Sequence, residues 1–288
     1  MAYLITGERG FIGSVLKKKL EESGVEVVGT SAENIDITQV DCFKKINKKI
    51  THVFHLAANV SVPDSWVSPV NFYQTNFLGL LNVLDFCAKH SAKLTFISSY
   101  LYGRVTQLPI SEDFPTEAMN PYAHSKLLGE HLCDFYAKNF HVDIVVIRPF
   151  NIFGTGQSDK FLIPHIVNQA LYADEIKVMD LLPRRDYLYV DDLVDALVCT
   201  LNSKSSLATY NIGYGTSWSV AEIIDIVQEI AGTNKPVISS KEVRINEIND
   251  VVADIQRAKN ELGWEPKISF EAGIEKLIQF SMQSSKDS

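Results

Sequence analysis

Basic residues are in the minority. The chain has 27 lysines and arginines against 35 aspartates and glutamates, a formal net charge of −8. That balance argues against nucleic acid as the main partner, while leaving room for an anionic small molecule held by a few local arginines. Cysteine is scarce: Cys42, Cys87, Cys133 and Cys199 lie far apart and form no C-x-x-C, so reduced thiols are expected rather than a disulfide framework. The 7 histidines form no cluster with ligand spacing, and no metal is expected. No apolar run approaches the roughly 18 residues that a membrane helix needs. No basic leader precedes the opening "MAYLITGERG", so a cytoplasmic protein is the expectation.

What is there is a chain of 288 residues, 46% hydrophobic, long enough for one large core or two that share an interface. Short apolar runs alternate with helical periodicity. "AYLITG" predicts a strand, "FIGSVLKKKLEESG" a helix capped near Gly24, and "VEVVGT" a second strand. A short helix over "VDCFKKINKK", a third strand over "THVFHLAA" and a long helix over "NFYQTNFLGLLNVLDFCAKH" follow. "KLTFISS" reads as a fourth strand, "PYAHSKLLGEHLCDFYAKNF" as another long helix and "VDIVVIRPFNIFG" as a fifth strand. Nearly continuous apolar strands between helices predict an α/β fold, a Rossmann-type doubly wound parallel sheet. After Gly154 the elements shorten, and Gly, Pro and aromatic residues punctuate them. Residues 1–153 are therefore expected to form a first domain, with part of 186–210 returning to it. Residues 154–288 would form a smaller α/β substrate domain. Trp66, Trp218 and Trp264 read as packing residues.

"TGERGFIG" sets Gly7, Gly10 and Gly13 between the first strand and the first helix. Glycines there let the backbone turn tightly and approach a pyrophosphate, which then sits on the helix N-terminus. An NAD-binding sequence usually ends its second strand with an acid that bonds the adenosine ribose. Here Gly29, Thr30 and Ser31 occupy that place. Small hydroxyls, with Arg9 in the turn, suit a 2′-phosphate and lean toward NADPH. In the alternative Arg9 is solvated, and Glu33 or Asp36 bonds the ribose of NAD.

Tyr122 and Lys126 in "NPYAHSK" stand at i and i+4, on one helix face. A phenol is a poor base at neutral pH, and a neighbouring ammonium would pull its pKa down. Such a pair suits proton transfer to or from an alcohol while a hydride moves.

Together these stretches resemble the extended short-chain dehydrogenase/reductases, in the NAD-dependent epimerase/dehydratase family that acts on nucleotide sugars. The resemblance runs almost end to end. It takes in the glycine turn, "HLAA", "ISSYLYG", "NPYAHSK", "RPFNIFGTGQ", "RRDYLYVDDLVDAL", "YNIGYGTSWSVAEI" and "ADIQRAKNELGW". It implies that Tyr122 is the acid/base and that Lys126 holds the nicotinamide ribose. Counted back from Tyr102–Gly103, it implies Ser98 as the hydroxyl that polarises the reacting oxygen, with Ser99 as the alternative. It implies a cofactor, NADP(H) or NAD(H), lined by Gly7, Arg9, Gly10, Phe11, Ile12, Gly13, Thr30, Asp36, Ile37, Leu56, Ala57, Ala58 and Pro149. It implies a nucleoside-diphosphate sugar whose diphosphate meets Asn151, Arg185 and Arg244. Phe161, Ile163 and Val178 are candidates for the base pocket, and Arg148 reads as structural. The helices at 72–90 and 122–140 would pair two subunits, which implies a homodimer.

The sugar dehydratases of that family carry an Asp–Glu pair after the catalytic hydroxyl, where this chain has Ser99 and Tyr100. The double epimerases that make GDP-fucose carry a Cys at the place of Tyr100. Two reactions at a single carbinol carbon remain: reduction of a 4-keto sugar, which is preferred, or 4-epimerisation. A dinucleotide-sensing regulator without chemistry is disfavoured, because Tyr122, Lys126 and a serine are all kept.

Overall fold

The structure, a computed structural model, describes residues 2–105, 107–242 and 248–284. The chain opens with β1 (Ala2–Thr6), α1 (Phe11–Glu22), β2 (Glu26–Thr30) and β3 (Ile50–His55). Two short helices, α2 (Val62–Val67) and α3 (Pro69–Phe72), lead into α4 (Gly79–His90), β4 (Lys93–Ile97), α5 (Pro121–Phe140) and β5 (Ile144–Pro149). The later part comprises β6 (Asn151–Phe153), α6 (Leu162–Tyr172), β7 (Ile176–Val178), β8 (Arg184–Tyr189) and α7 (Val190–Cys199). It ends with β9 (Leu207–Ile212), β10 (Ser217–Ser219), α8 (Val220–Ala231), β11 (Val237–Ser239), α9 (Gln256–Leu262) and α10 (Phe270–Ser284).

Six strands pair in the order β2-β1-β3-β4-β5-β9, all parallel. A parallel sheet needs cover on both faces. Leu4 and Ile5, neighbours in β1, are both 0% exposed because they point to opposite faces. Leu4 joins Leu80, Leu84 and Phe96 under α4 and α5, and Ile5 joins Leu16, Leu193 and Leu197 under α1 and α7. The connection direction reverses between β1 and β3, so a crevice opens at the carboxyl ends of the strands, where ligands bind in such sheets. Thr6, His55, Ile97 and Pro149 end their strands along that edge.

A second core of α6, α8 and α10 against β8 holds Phe153, Ile166, Ile223, Val227 and Ile274. Here the capping box at Ser219 and Glu222 starts α8.

Several expectations needed correction. The fifth strand is two strands in different sheets, β5 and β6, broken at Phe150, whose N–H bonds the Ile212 carbonyl at 2.8 Å. The long helix before α4 contains a π-helical stretch over Tyr73–Leu78. The helix over "VDCFKKINKK" shrinks to a 3₁₀ turn at Cys42–Lys45. Trp66 is 65% exposed and packs no core, whereas Trp264 is buried and Trp218 stacks on Phe270.

Candidate active site

The glycine turn has the form a dinucleotide needs. Gly7 has φ 77°, and a Cβ on it would meet the Ala57 backbone N at 2.9 Å. A Cβ on Gly13 would overlap the Gly7 carbonyl. The turn therefore lies bare against the start of α1, whose N-cap, Gly10, offers no side-chain cap to the first-turn N–H groups. Such open N–H groups accept an anion. Phe11 and Ile12 open α1, and Leu56, Ala57 and Ala58 follow β3 along the same edge. Asp36 instead closes its own turn, accepting from Thr38 N at 2.9 Å and Thr38 Oγ1 at 2.8 Å, while Ile37 is buried. Arg9 pairs with Glu33 in an exposed ion pair.

Asn120 caps α5, accepting from Ala123 N at 2.8 Å, and Pro121 occupies the first turn. The cap fixes where Tyr122 and Lys126 fall on the helix. Asn76, in the π-helical stretch, donates to Ser125 Oγ at 2.9 Å and accepts from Asn59 N at 2.8 Å, which ties α5 to the loop after β3. Lys126 is 3% exposed, and its Nζ donates to the Ile97 carbonyl at 2.7 Å. Burial pulls its pKa down to about 7, opposed by Cys133 and Glu130.

Tyr122 is half-buried, and burial of its hydroxyl end pushes the phenol up to about 12, opposed by a hydrogen bond with Ser99. Burial, Ser99 and Tyr100 set the direction of the phenol's shift, while the Lys126 Nζ is directed at the Ile97 carbonyl at the end of β4. Tyr122 lies instead beside the Ser99 hydroxyl.

The two serines divide. Ser98 N bonds the Ile147 carbonyl at 2.8 Å and so continues the β4–β5 ladder. Its Oγ donates to Glu130 Oε1 at 2.5 Å. Glu130, one turn beyond Lys126, is clamped by Arg148 through Nη2 at 2.6 Å and Nε at 3.0 Å. Arg148 also reaches Tyr102 Oη at 2.8 Å, and Tyr102 donates to Asn211 Oδ1 at 2.5 Å. Ser98 thus belongs to a buried polar network, and Ser99 is the serine beside Tyr122. Sequence reading passed over Glu130, although its place one turn after Lys126 is a signal of the same helix face.

Asn151 donates to the Asp186 carbonyl at 3.2 Å. Arg185 donates to the Ile248 carbonyl at 2.6 Å. Asp186 is 0% exposed and accepts from Tyr214 N, Gly215 N and Ala253 N, which gathers "RRDY", "YNIGYG" and "ADI" to one point. Arg244 lies outside the described residues. Ile163 is 1% exposed inside the second core, so it lines no open base pocket, whereas Phe161 is exposed at the start of α6. Among the described residues no group of His, Cys, Asp and Glu could hold a metal ion, and no helix is long and apolar enough to cross a membrane.

A bare glycine turn, a Tyr–Lys helix face and a serine at the carboxyl edge of a parallel sheet define a dinucleotide-dependent enzyme. The chain belongs to the NAD dependent epimerase/dehydratase family, whose family model matches residues 3–213. A GDP-6-deoxy-D-mannose reductase of Pseudomonas aeruginosa is 28% identical over 95% of this chain and 95% of its own. A solved UDP-glucose 4-epimerase of Thermotoga maritima, with UDP-glucose, matches with a TM-score of 0.91 at 27% identity, covering 99% of this chain and 100% of that one. RMD of Pseudomonas aeruginosa, complexed with NADPH, matches with a TM-score of 0.91 at 28% identity, again over 99% and 100%. The chain is an NAD(P)-dependent enzyme of this family.

Proposed function

We propose that this chain transfers a hydride at C4 of a nucleoside-diphosphate sugar, and that its net reaction is reduction of a 4-keto sugar. The observation that carries the reading is the Tyr122 phenol, hydrogen-bonded to Ser99 on the capped first turn of α5, one turn before the buried Lys126 at the end of β4. A group that must deliver a proton to a forming alkoxide has to begin protonated. Elimination of water would call for a carboxylate pair after β4, and there Tyr100 stacks on Phe150 instead.

In this reading the bound nicotinamide supplies the hydride. Ser99 Oγ donates to the substrate oxygen, Tyr122 gives it the proton, and Lys126 orients the nicotinamide ribose. Asn151, Arg185 and Arg244 hold the diphosphate, and bidentate pairing is what arginine offers there. The similarity to the GDP-6-deoxy-D-mannose reductase supports reduction. The likeness to UDP-glucose 4-epimerases, one of them from Methanocaldococcus jannaschii and 31% identical over 98% of this chain, favours the second reading, 4-epimerisation with a retained cofactor. We also propose two domains, 1–153 with part of 186–210 returning to it, and 154–288, and a homodimer through α4 and α5, where Phe135 and Phe140 are exposed.

The test is to release and identify the nucleotide carried by the freshly purified protein. An empty site that fills with reduced cofactor supports the reductase. Stoichiometric oxidised cofactor that survives purification replaces it with the epimerase.

A further inference from the structure

The strand-end acid that would bond an NAD ribose is missing, yet the glycine turn carries an acid of its own. Glu8 follows Gly7 at the ribose end of the site. Facing outward, its carboxylate would accept from the 2′- and 3′-hydroxyls of NAD and repel the 2′-phosphate of NADP. Glu8 does not face outward. It is 9% exposed, and its carboxylate fills the space that a side chain at residue 29 would take. A Cβ on Gly29 would overlap Glu8 Oε2. Gly29 is a regular β2 residue outside the left-handed region, so what it provides is room for Glu8 and not an unusual φ. From α1, Lys17 Nζ donates to the same carboxylate oxygen at 2.6 Å.

With Glu8 withdrawn, two hydroxyls stand at the end of β2, where Gly7 N and Glu8 N of the turn bond the Thr30 carbonyl, and Arg9 follows in that turn. Thr30 Oγ1 and Ser31 Oγ are both buried and, among the described residues, without a hydrogen-bond partner. Among the described residues Arg9 is tied only to Glu33, in a pair whose side chains are 62% and 74% exposed. An exposed pair of that kind is worth little and yields to a phosphate dianion, for which a guanidinium is the better match.

We propose that the chain selects NADP(H) over NAD(H), with Arg9 and Ser31 receiving the 2′-phosphate, and that Gly29 and Lys17 are specificity determinants because they hold the Glu8 carboxylate out of its way. The proposal rests on dinucleotide binding at the turn and not on which sugar reaction follows.

Fluorescence titration of the full-length protein with NADPH and with NADH tests it without turnover. Wild type should bind NADPH at least tenfold more tightly, and Arg9→Ala should lose most of that margin while binding NADH as before. Gly29→Ala should drive the carboxylate to the rim and weaken NADPH by roughly tenfold, the effect of one unit charge at about 5 Å in a partly screened site. Removing the carboxylate as well, in Gly29→Ala/Glu8→Ala, should restore NADPH binding. Equal or tighter binding of NADH by wild type overturns the proposal and leaves dinucleotide binding standing. So does an Arg9→Ala variant with an unchanged margin. If neither nucleotide binds, the reading of the turn itself fails, and the proposal fails with it.

Discussion

Acidifying the protein from pH 7 to pH 5 tests the packing beneath the cofactor site. His52 and His55 lie in β3, both buried, and burial lowers each pKa to about 3. His52 Nε2 meets Thr95 Oγ1 at 2.8 Å, and His55 Nδ1 meets Thr6 Oγ1 at 2.7 Å. The unfolded chain protonates its histidines near 6.5, while the folded protein refuses the proton until about 3. Stability is therefore intact above 6.5 and is lost as pH falls below it. At pH 5 the linkage integral gives about 2 kcal/mol per histidine, or about 4 kcal/mol for the two. Asp186 works the other way. Burial raises its carboxyl to about 6, against the N–H groups that favour its ionised form, so the folded state takes that proton first. It returns about 1 kcal/mol at pH 5, leaving a net loss of about 3 kcal/mol. Urea unfolding of wild type and of His52→Gln/His55→Gln at both pH values measures this. The wild type should lose about 3 kcal/mol between them, whereas the double variant, left with Asp186, should gain about 1 kcal/mol. Parallel losses in the two proteins would refute the reasoning.

The two serines should separate kinetically. Ser99→Ala should lower kcat by roughly a hundredfold, as loss of one positioned donor does, and Ser98→Ala should lower it by less than about tenfold; steady-state rates with a 4-keto nucleotide sugar decide between them, and the opposite ranking would return the role to Ser98. Glu130→Ala leaves Arg148 buried without its carboxylate and should cost about 3–5 kcal/mol in urea unfolding, with a loss under about 1 kcal/mol removing the pair from the core. Arg185→Ala should raise KM for the nucleotide sugar more than for the cofactor, and an unchanged KM would take Arg185 out of the substrate site.

The sheet was legible because its strands are continuous apolar runs and its helices keep their period, and α5 spans the residues that "PYAHSKLLGEHLCDFYAKNF" predicts. The glycine turn and the Tyr122–Lys126 face were legible for the same reason: both are local geometry. The serine was not. Successive side chains on a strand point to opposite faces, so a one-residue difference in where a strand ends exchanges Ser98 for Ser99. That end is set by pairing of Ile97 with Ile147, between residues far apart in sequence. The break between β5 and β6 is hidden likewise, because Phe150 is apolar in an apolar run and only its bond to Ile212 in β9 shows that the chain changes sheets. The place of Glu8 also depends on contact between separate elements, since nothing local tells that Gly29 leaves room for it.

The most direct test of the central claim follows the hydride. Cofactor deuterated at the nicotinamide C4 is mixed with a 4-keto nucleotide sugar and the protein, as wild type and as Tyr122→Phe, and the sugar is analysed by mass spectrometry and NMR. The account predicts one deuterium at the sugar C4 for each cofactor oxidised by wild type. It predicts a rate lower by orders of magnitude in Tyr122→Phe with the fold intact. Deuterium absent from C4, or near-normal transfer by Tyr122→Phe, would contradict it.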